Sequence, residues 1–301
     1  MPPKIEFLKI RDFGEIITDT FGFIRENFKP LLKCFFIFCG FFLIGSAIFS
    51  ALQQIKTVGT INNIRLGHPN SIFGQGGRNP FAIFGVEYLM IFIFELFVFT
   101  AAHVTVISYI GLYKQKGNIV PEPNEVWAYF KHFFIKTALS TILLFIMLCI
   151  SAIFCFVPFF YLAPIFALIF PVMIIENTSF GYAFNRSFKL AHKNYWTVFG
   201  AMFIMVLIVY VGSLVVLLPV SALNISTIFL HFGKGTSMSI TLAVVAGLLQ
   251  QVVRIIFILP VITSCLCYFS LSEEIEGNGL MGRIEQLGAT TPEDNSPTEE
   301  F

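Results

Sequence analysis

Long runs of apolar residues, separated by short polar segments, occupy most of this chain. Leu31–Leu52, Val86–Leu112, Ile135–Val157, Pro158–Ile175, Val198–Leu223 and Ile240–Leu271 are each mostly apolar. Each reaches roughly 18 residues or more, and about 20 are needed for a helix to cross the hydrocarbon core of a bilayer. The pattern predicts an all-α, polytopic membrane helix bundle with about six transmembrane helices. Two runs abut at Val157/Pro158. There Pro158, Pro164 and Pro171 require either a very tight turn or one broken element, and a five-span reading survives only at that boundary.

Ahead of the first and fifth runs the periodicity changes. FGEIITDTFGFIRENF (Phe13–Phe28) recurs as FGYAFNRSFKLAHKNY (Phe180–Tyr195). Phe13/Phe180, Gly14/Gly181, Phe21/Phe188 and Asn27/Asn194 are identical, and Thr20/Ser187 and Phe28/Tyr195 are close in kind. In the first segment Phe13, Ile16 or Ile17, Phe21, Ile24 and Phe28 follow helical spacing. In the second, Phe180, Phe184, Phe188 and Ala191 or Tyr195 do so, with Arg186, Lys189, His192 and Lys193 on the polar side. Each predicts an amphipathic helix lying in the headgroup region before the chain turns into the bilayer. Glu125–Phe134 (EVWAYFKHFF) predicts a shorter one.

A second match, SYIGL at Ser108–Leu112 with CYFSL at Cys267–Leu271, follows in the same order and again ends an apolar run. Together the matches predict an internal duplication with copies at about 13–112 and 180–271 and an inserted helix pair at 113–179. Four spans separate the two starts, so the copies enter the membrane from the same side and the repeat is parallel, related by an axis along the membrane normal. Residues 1–271 then form one transmembrane domain. Residues 272–301 carry eight acidic residues against Arg283 alone. They read as an acidic, largely disordered cytoplasmic tail, in which only Leu280–Leu287 has helical periodicity.

Composition agrees with this class: 56% of residues are hydrophobic, 12% are charged and the mean hydropathy is +0.81, far from a typical soluble domain. With the N-terminus inside, fourteen of the nineteen Lys and Arg residues fall in inner segments and four (Lys56, Arg65, Arg78, Lys234) in outer loops; the last, Arg254, lies within a span. That bias predicts a multi-pass protein with both termini cytoplasmic. The basic residues sit at membrane edges, where they meet anionic lipid headgroups rather than nucleic acid. The first 30 residues are charged throughout and contain no uninterrupted apolar core of a cleavable signal peptide. All six cysteines (Cys34, Cys39, Cys149, Cys155, Cys265, Cys267) fall inside predicted spans and read as small apolar fillers.

Candidate chemistry is sparse. The offset of 159 that carries Ser108 onto Cys267 also carries Glu95 onto Arg254, so opposite charges occupy equivalent places in two spans. Ionisable groups inside a membrane are costly and are usually paired or face a cavity. A buried Glu95–Arg254 ion pair is therefore expected, either as a fixed staple between the second and sixth spans or as a proton- or substrate-linked site. Gln250 and Gln251 precede Arg254, and Gln250 shares its face at i, i+4 spacing; they are candidates for an interhelical polar network. His103 reads as a hydrogen-bonded structural histidine, and Glu87 as a residue of the outer interface. HExxH, GxSxG and P-loop motifs do not occur, and the histidines are dispersed between compartments. No enzyme, cofactor or metal site is expected.

The amphipathic segment running into a span, FNRSFKLAHKNYWTVFG at Phe184–Gly200, resembles the pattern of six-helix bacterial membrane proteins that are themselves similar to the membrane domain of glycerophosphoryl diester phosphodiesterases. The resemblance implies a location in the bacterial cytoplasmic (inner) membrane and a six-helix bundle. A phosphodiesterase barrel needs about 250 residues, and thirty residues follow the last predicted span, so that activity is not implied. The expected function is a non-catalytic membrane module that binds lipids or a membrane protein partner. The alternative is a small-solute or lipid transporter using the Glu95/Arg254 region.

Overall fold

A computed structural model describes residues 6–65, 86–154, 156–230 and 240–277. They form eight helices: α1 Phe13–Arg65, α2 Val86–Gln115, α3 Pro123–Phe154, α4 Phe156–Ile175, α5 Phe180–Lys193, α6 Tyr195–Leu230, α7 Ile240–Ile256 and α8 Ile258–Glu276. No strand occurs among the described residues, and the all-α bundle is as the apolar runs predict. Five stretches, Phe13–Lys56, Val86–Gln115, Pro123–Ser151, Tyr195–Pro219 and Gly247–Glu276, are long and apolar enough to cross a membrane, as an integral membrane protein requires. The fourth predicted span, Pro158–Ile175, lies in α4, a helix of 20 residues with a shorter apolar stretch at Phe160–Ile175.

Helix α4 differs from the long helices in where its apolar surface goes. It packs against α2, α3, α5, α6 and α8, and Ile165, Phe166, Leu168, Ile169, Phe170, Val172 and Met173 are buried. A helix that is apolar on every side is buried either in protein or in a membrane, and over these residues protein covers it. The long helices instead turn apolar faces outward: Phe41 of α1, Ile153 of α3 and Trp196 of α6 are each at least three-quarters exposed, a surface suited to lipid.

The predicted single span Ile240–Leu271 is broken at Phe257, where α7 ends and α8 begins. Pro260 accounts for the break. It has no N–H to offer the Ile256 carbonyl four residues back, and its ring collides with that carbonyl in a continuous helix. The Phe257 N–H turns instead to the Arg254 carbonyl at 3.1 Å, and Pro260 occupies the first turn of α8, where proline is tolerated. At its other end α8 continues past the expected boundary at Leu271 to Glu276 and closes on Gly277, left-handed at φ 63°, whose N–H reaches the Glu273 carbonyl at 2.8 Å. Residues 278–301, including Leu280–Leu287, lie outside the described residues, as do Cys155 and the outer loop at 66–85.

The two amphipathic segments do not share one fate. The first is no separate interfacial helix: it runs without interruption into the first span as part of α1, with Pro30 inside. The second is the separate helix α5, closed at Asn194 before α6 starts. Glu125–Phe134 likewise forms the first part of α3 rather than a separate element. It is anchored by Lys116, whose Nζ reaches the Glu125 carboxylate at 2.6 Å, and by stacking of Trp127 and Phe130 on Phe38.

The core gathers at the end of the bundle where α8 finishes. The last turns of α2 and α8, which carry SYIGL and CYFSL, are buried and pack on each other. Phe7 joins Phe23, Tyr113 and Phe269 edge to face, which brings the segment ahead of α1 into the same cluster. Arg11 follows it in and is 4% exposed. Its guanidinium bonds to Asp19 at 2.8 Å and to the carbonyls of Phe7 and Lys9, and its backbone N–H donates to Ser270 Oγ at 2.8 Å. Cys34, Cys39, Cys265 and Cys267 are buried free thiols, whereas Cys149 lies on the outer surface.

Candidate ligand cavity and its charge pair

Between α2 and α3 on one side and α6 and α8 on the other lies a cavity of about 570 Å³, backed by α4. That volume falls in the range of small-molecule sites. Its wall is almost wholly apolar. Ala102 of α2 and Ala163 and Ala167 of α4 make the room, since small side chains at those positions leave the space that a larger residue would fill. Phe92, Phe99, Phe145, Val206 and Phe257 also line it and are roughly half exposed on the outward surface. The cavity therefore opens sideways, toward the face that the long helices present to lipid.

Glu95, Arg254 and His103 are its ionisable lining groups. Glu95 and Arg254 are ion-paired, with Arg254 Nη1 donating to Glu95 Oε2. The side chains are 25% and 22% exposed, so the pair stands at the cavity edge rather than sealed within the protein. Around it a network forms that reaches α1. Ser46 Oγ donates to Glu95 Oε1 at 2.7 Å, Arg254 Nε donates to Gln251 Oε1 at 3.0 Å, and Gln251 Nε2 reaches back to Ser46 Oγ at 3.4 Å. Three helices are thus tied through one serine.

Of the two glutamines it is Gln251 that joins this network. Gln250, expected to share the face of Arg254, is exposed. The i, i+3 pair Gln251/Arg254 points at α1, which packs on α7, and one residue of helical rotation carries Gln250 away. Ser46 was not singled out from the sequence. Its signal was there as Gly45–Ser46 inside an otherwise apolar run. Gly45 lets α2 come close: a Cβ built on it would sit 2.2 Å from the Phe94 ring, the neighbour of Glu95.

His103 lines the same cavity, eight residues and so about 12 Å along α2 from Glu95. Its Nδ1 lies 2.9 Å from the Phe99 carbonyl, and its ring packs on Phe99 and Phe170 at 4.0 and 4.9 Å. A carbonyl only accepts, so Nδ1 carries the proton toward it. Glu87, placed by sequence at an interface, is ion-paired with Lys56 of α1. No cluster of three or more metal-ligating side chains occurs among the described residues.

No family model, curated protein or solved structure matches the chain.

Proposed function

We propose that this protein is a multi-pass protein of a bacterial cytoplasmic membrane, with both termini in the cytoplasm, and that it acts as a non-catalytic module holding a lipid-like amphiphile in the lateral cavity. The observation that carries the reading is the cavity itself: an apolar chamber of about 570 Å³ with one charge pair on its wall. A chamber of that polarity suits an acyl chain, and its half-exposed aromatic rim suits entry from the bilayer. The charge bias of the loops supports the orientation. The likeness of Phe184–Gly200 to six-helix bacterial membrane proteins supports the location.

Transport is the second reading. It is favoured by the helix break at Phe257, three residues from Arg254, since discontinuous helices beside intramembrane charges are a feature of transporter sites. Native mass spectrometry of the mildly extracted protein tests the first reading. Wild type should retain lipid at a stoichiometric ratio, and Ala167→Phe, which fills the chamber, should lose it. Equal lipid retention by both would count against the cavity as the site. Glu95-dependent solute uptake into proteoliposomes would put transport ahead.

A further inference from the structure

The hydrogen-bonding state of the cavity wall restricts what the amphiphile's headgroup can be. Resting on the lipid-binding reading, we infer that the ligand is an acyl chain ending in an anionic, oxygen-rich headgroup, a carboxylate or phosphate, held by Arg254. Each polar group on the wall has a partner to be counted. Thr141 donates to the Thr137 carbonyl at 2.8 Å and Ser264 to the Val261 carbonyl at 2.8 Å. His103 uses its Nδ1 proton on Phe99, which leaves only an acceptor nitrogen. Both Glu95 oxygens already accept, one from Ser46 and one from Arg254.

Arg254 is different. A guanidinium has five N–H donors, and among the described residues one is used by Gln251 and one by Glu95. Three remain on a residue that lines the cavity. Of the lining groups it is the one with donors to spare, and a planar guanidinium edge matches a carboxylate or phosphate better than any neutral group. A cationic headgroup would face that surplus of donors beside a carboxylate whose charge Arg254 already pairs. Glu95, Ser46 and Gln251 are positioning residues in this account: they hold the guanidinium at the cavity wall while leaving three of its N–H donors uncommitted.

The test uses the full chain, delipidated in detergent, and four probes of matched chain length: oleate, oleyl alcohol, dioleoyl phosphatidate and dioleoylglycerol. Native mass spectrometry reads the bound fraction across a titration. Each acid should bind about ten-fold or more tightly than its neutral counterpart. In Arg254→Gln that preference should vanish, with the affinity of the neutral probes unchanged. Whether oleate or phosphatidate binds better separates a free fatty acid from a membrane phospholipid as the source. A Glu95→Gln/Arg254→Gln double variant, which leaves no unpaired carboxylate, provides the same readout if the single variant does not fold. Equal binding of acids and neutral probes by wild type, or a preference that survives in both variants, overturns the headgroup assignment alone. Binding of all four probes unchanged in Ala167→Phe overturns the cavity reading beneath it.

Discussion

The matched segments of this chain place an asparagine and a later tyrosine in different company. At the first segment Tyr109, fully buried, donates to Asn27 Oδ1 at 3.0 Å, and Asn27 Nδ2 donates to the Phe23 carbonyl at 3.2 Å. In the second, Tyr268 donates to Glu176 Oε1 at 3.0 Å, and Asn194 Nδ2 donates to Glu274. Arg186 lies between Glu176, 3.5 Å from its Nε, and Glu276. Burial opposes the charge on Arg186, yet these two carboxylates outweigh it and raise its pKa above the ordinary arginine value. The Asn27 segment is thus closed by a small neutral network and the Asn194 segment by a charged one. Helix α4 makes the difference, because its end delivers Glu176 and its side packs on α5. Matched sequence positions acquire different partners once a neighbouring helix reaches only one of them.

The cavity follows the same asymmetry. Helix α1 packs on α7 and α8. Helices α6 and α2 are instead separated by the chamber, which Met202 and Val206 of α6 and Glu95 and Phe99 of α2 all line. Helices α3 and α4 complete its wall.

Removing the centre of the charged network should have the largest effect. Arg186→Gln removes both ion pairs of a guanidinium whose side chain is only 18% exposed. We expect a loss of roughly 2–3 kcal/mol, below the figure for a fully sealed pair because the network is partly wetted. Thermal unfolding in detergent measures it. Raising the salt concentration should narrow the gap to wild type, since screening weakens the intact charged network, and the same salt should leave Asn27 variants unaffected. Salt dependence in the Asn27 variants and none at Arg186 would reverse the assignment of the two networks.

How far these features were legible depends on whether they are local. Apolar runs are a property of neighbouring residues, and they read out as helix, although α1 and α3 begin well ahead of the expected spans and the last run is divided between α7 and α8. The Glu95–Arg254 pairing was legible from register alone, through the shared offset of 159. The break at Phe257 had its cause in the sequence at Pro260. It was hidden because the residues on both sides are apolar, and hydropathy does not register a lost N–H. The continuity of α1 was not legible at all. Asn27 and Asn194 have the same local pattern, and what separates them is that one meets Tyr109 and the other Glu274, partners fixed only by the packing of distant helices. Ser46 went unseen for a similar reason: a serine in an apolar run declares a function only when Glu95 and Gln251 arrive beside it.

The tyrosines offer a finer contrast at a smaller energy. Tyr109→Phe strands Asn27 Oδ1 in a buried site and should cost about 1–2 kcal/mol, the range for an unsatisfied buried acceptor. Tyr268→Phe removes one bond from Glu176, which keeps Arg186, and should cost less than about 1 kcal/mol. Thermal unfolding of the two variants side by side checks the order; Tyr268→Phe being the more damaging would show that its hydroxyl, and not Arg186, carries the second network.

The smallest energetic effect is expected at Asn194, and it bears most directly on why the two matched segments differ. Asn194 closes α5 at φ −132° and ψ 51°, outside the helical region, so either the residue itself sets the break or the docking of α5 does. Three observations favour docking. Ala183, Ser187, Leu190 and Ala191 of α5 are buried, the helix packs on α4 and α8, and Lys193 Nζ is held by the Glu274 carbonyl at 3.1 Å. Straightening α5 into line with α6 would expose that face and unmake the Arg186 pairings, whereas extending the helix through one residue gains only about 0.5 kcal/mol of propensity when alanine replaces asparagine. Asn194→Ala should therefore change stability by no more than about 0.5 kcal/mol and leave α5 where it is. Spin labels at Lys189 and Leu214 measure this by dipolar spectroscopy: an unchanged distance distribution assigns the break to packing. A shift to the longer separation of one continuous helix would assign it to Asn194, and combining Asn194→Ala with Arg186→Gln should produce that shift if packing alone holds the bend.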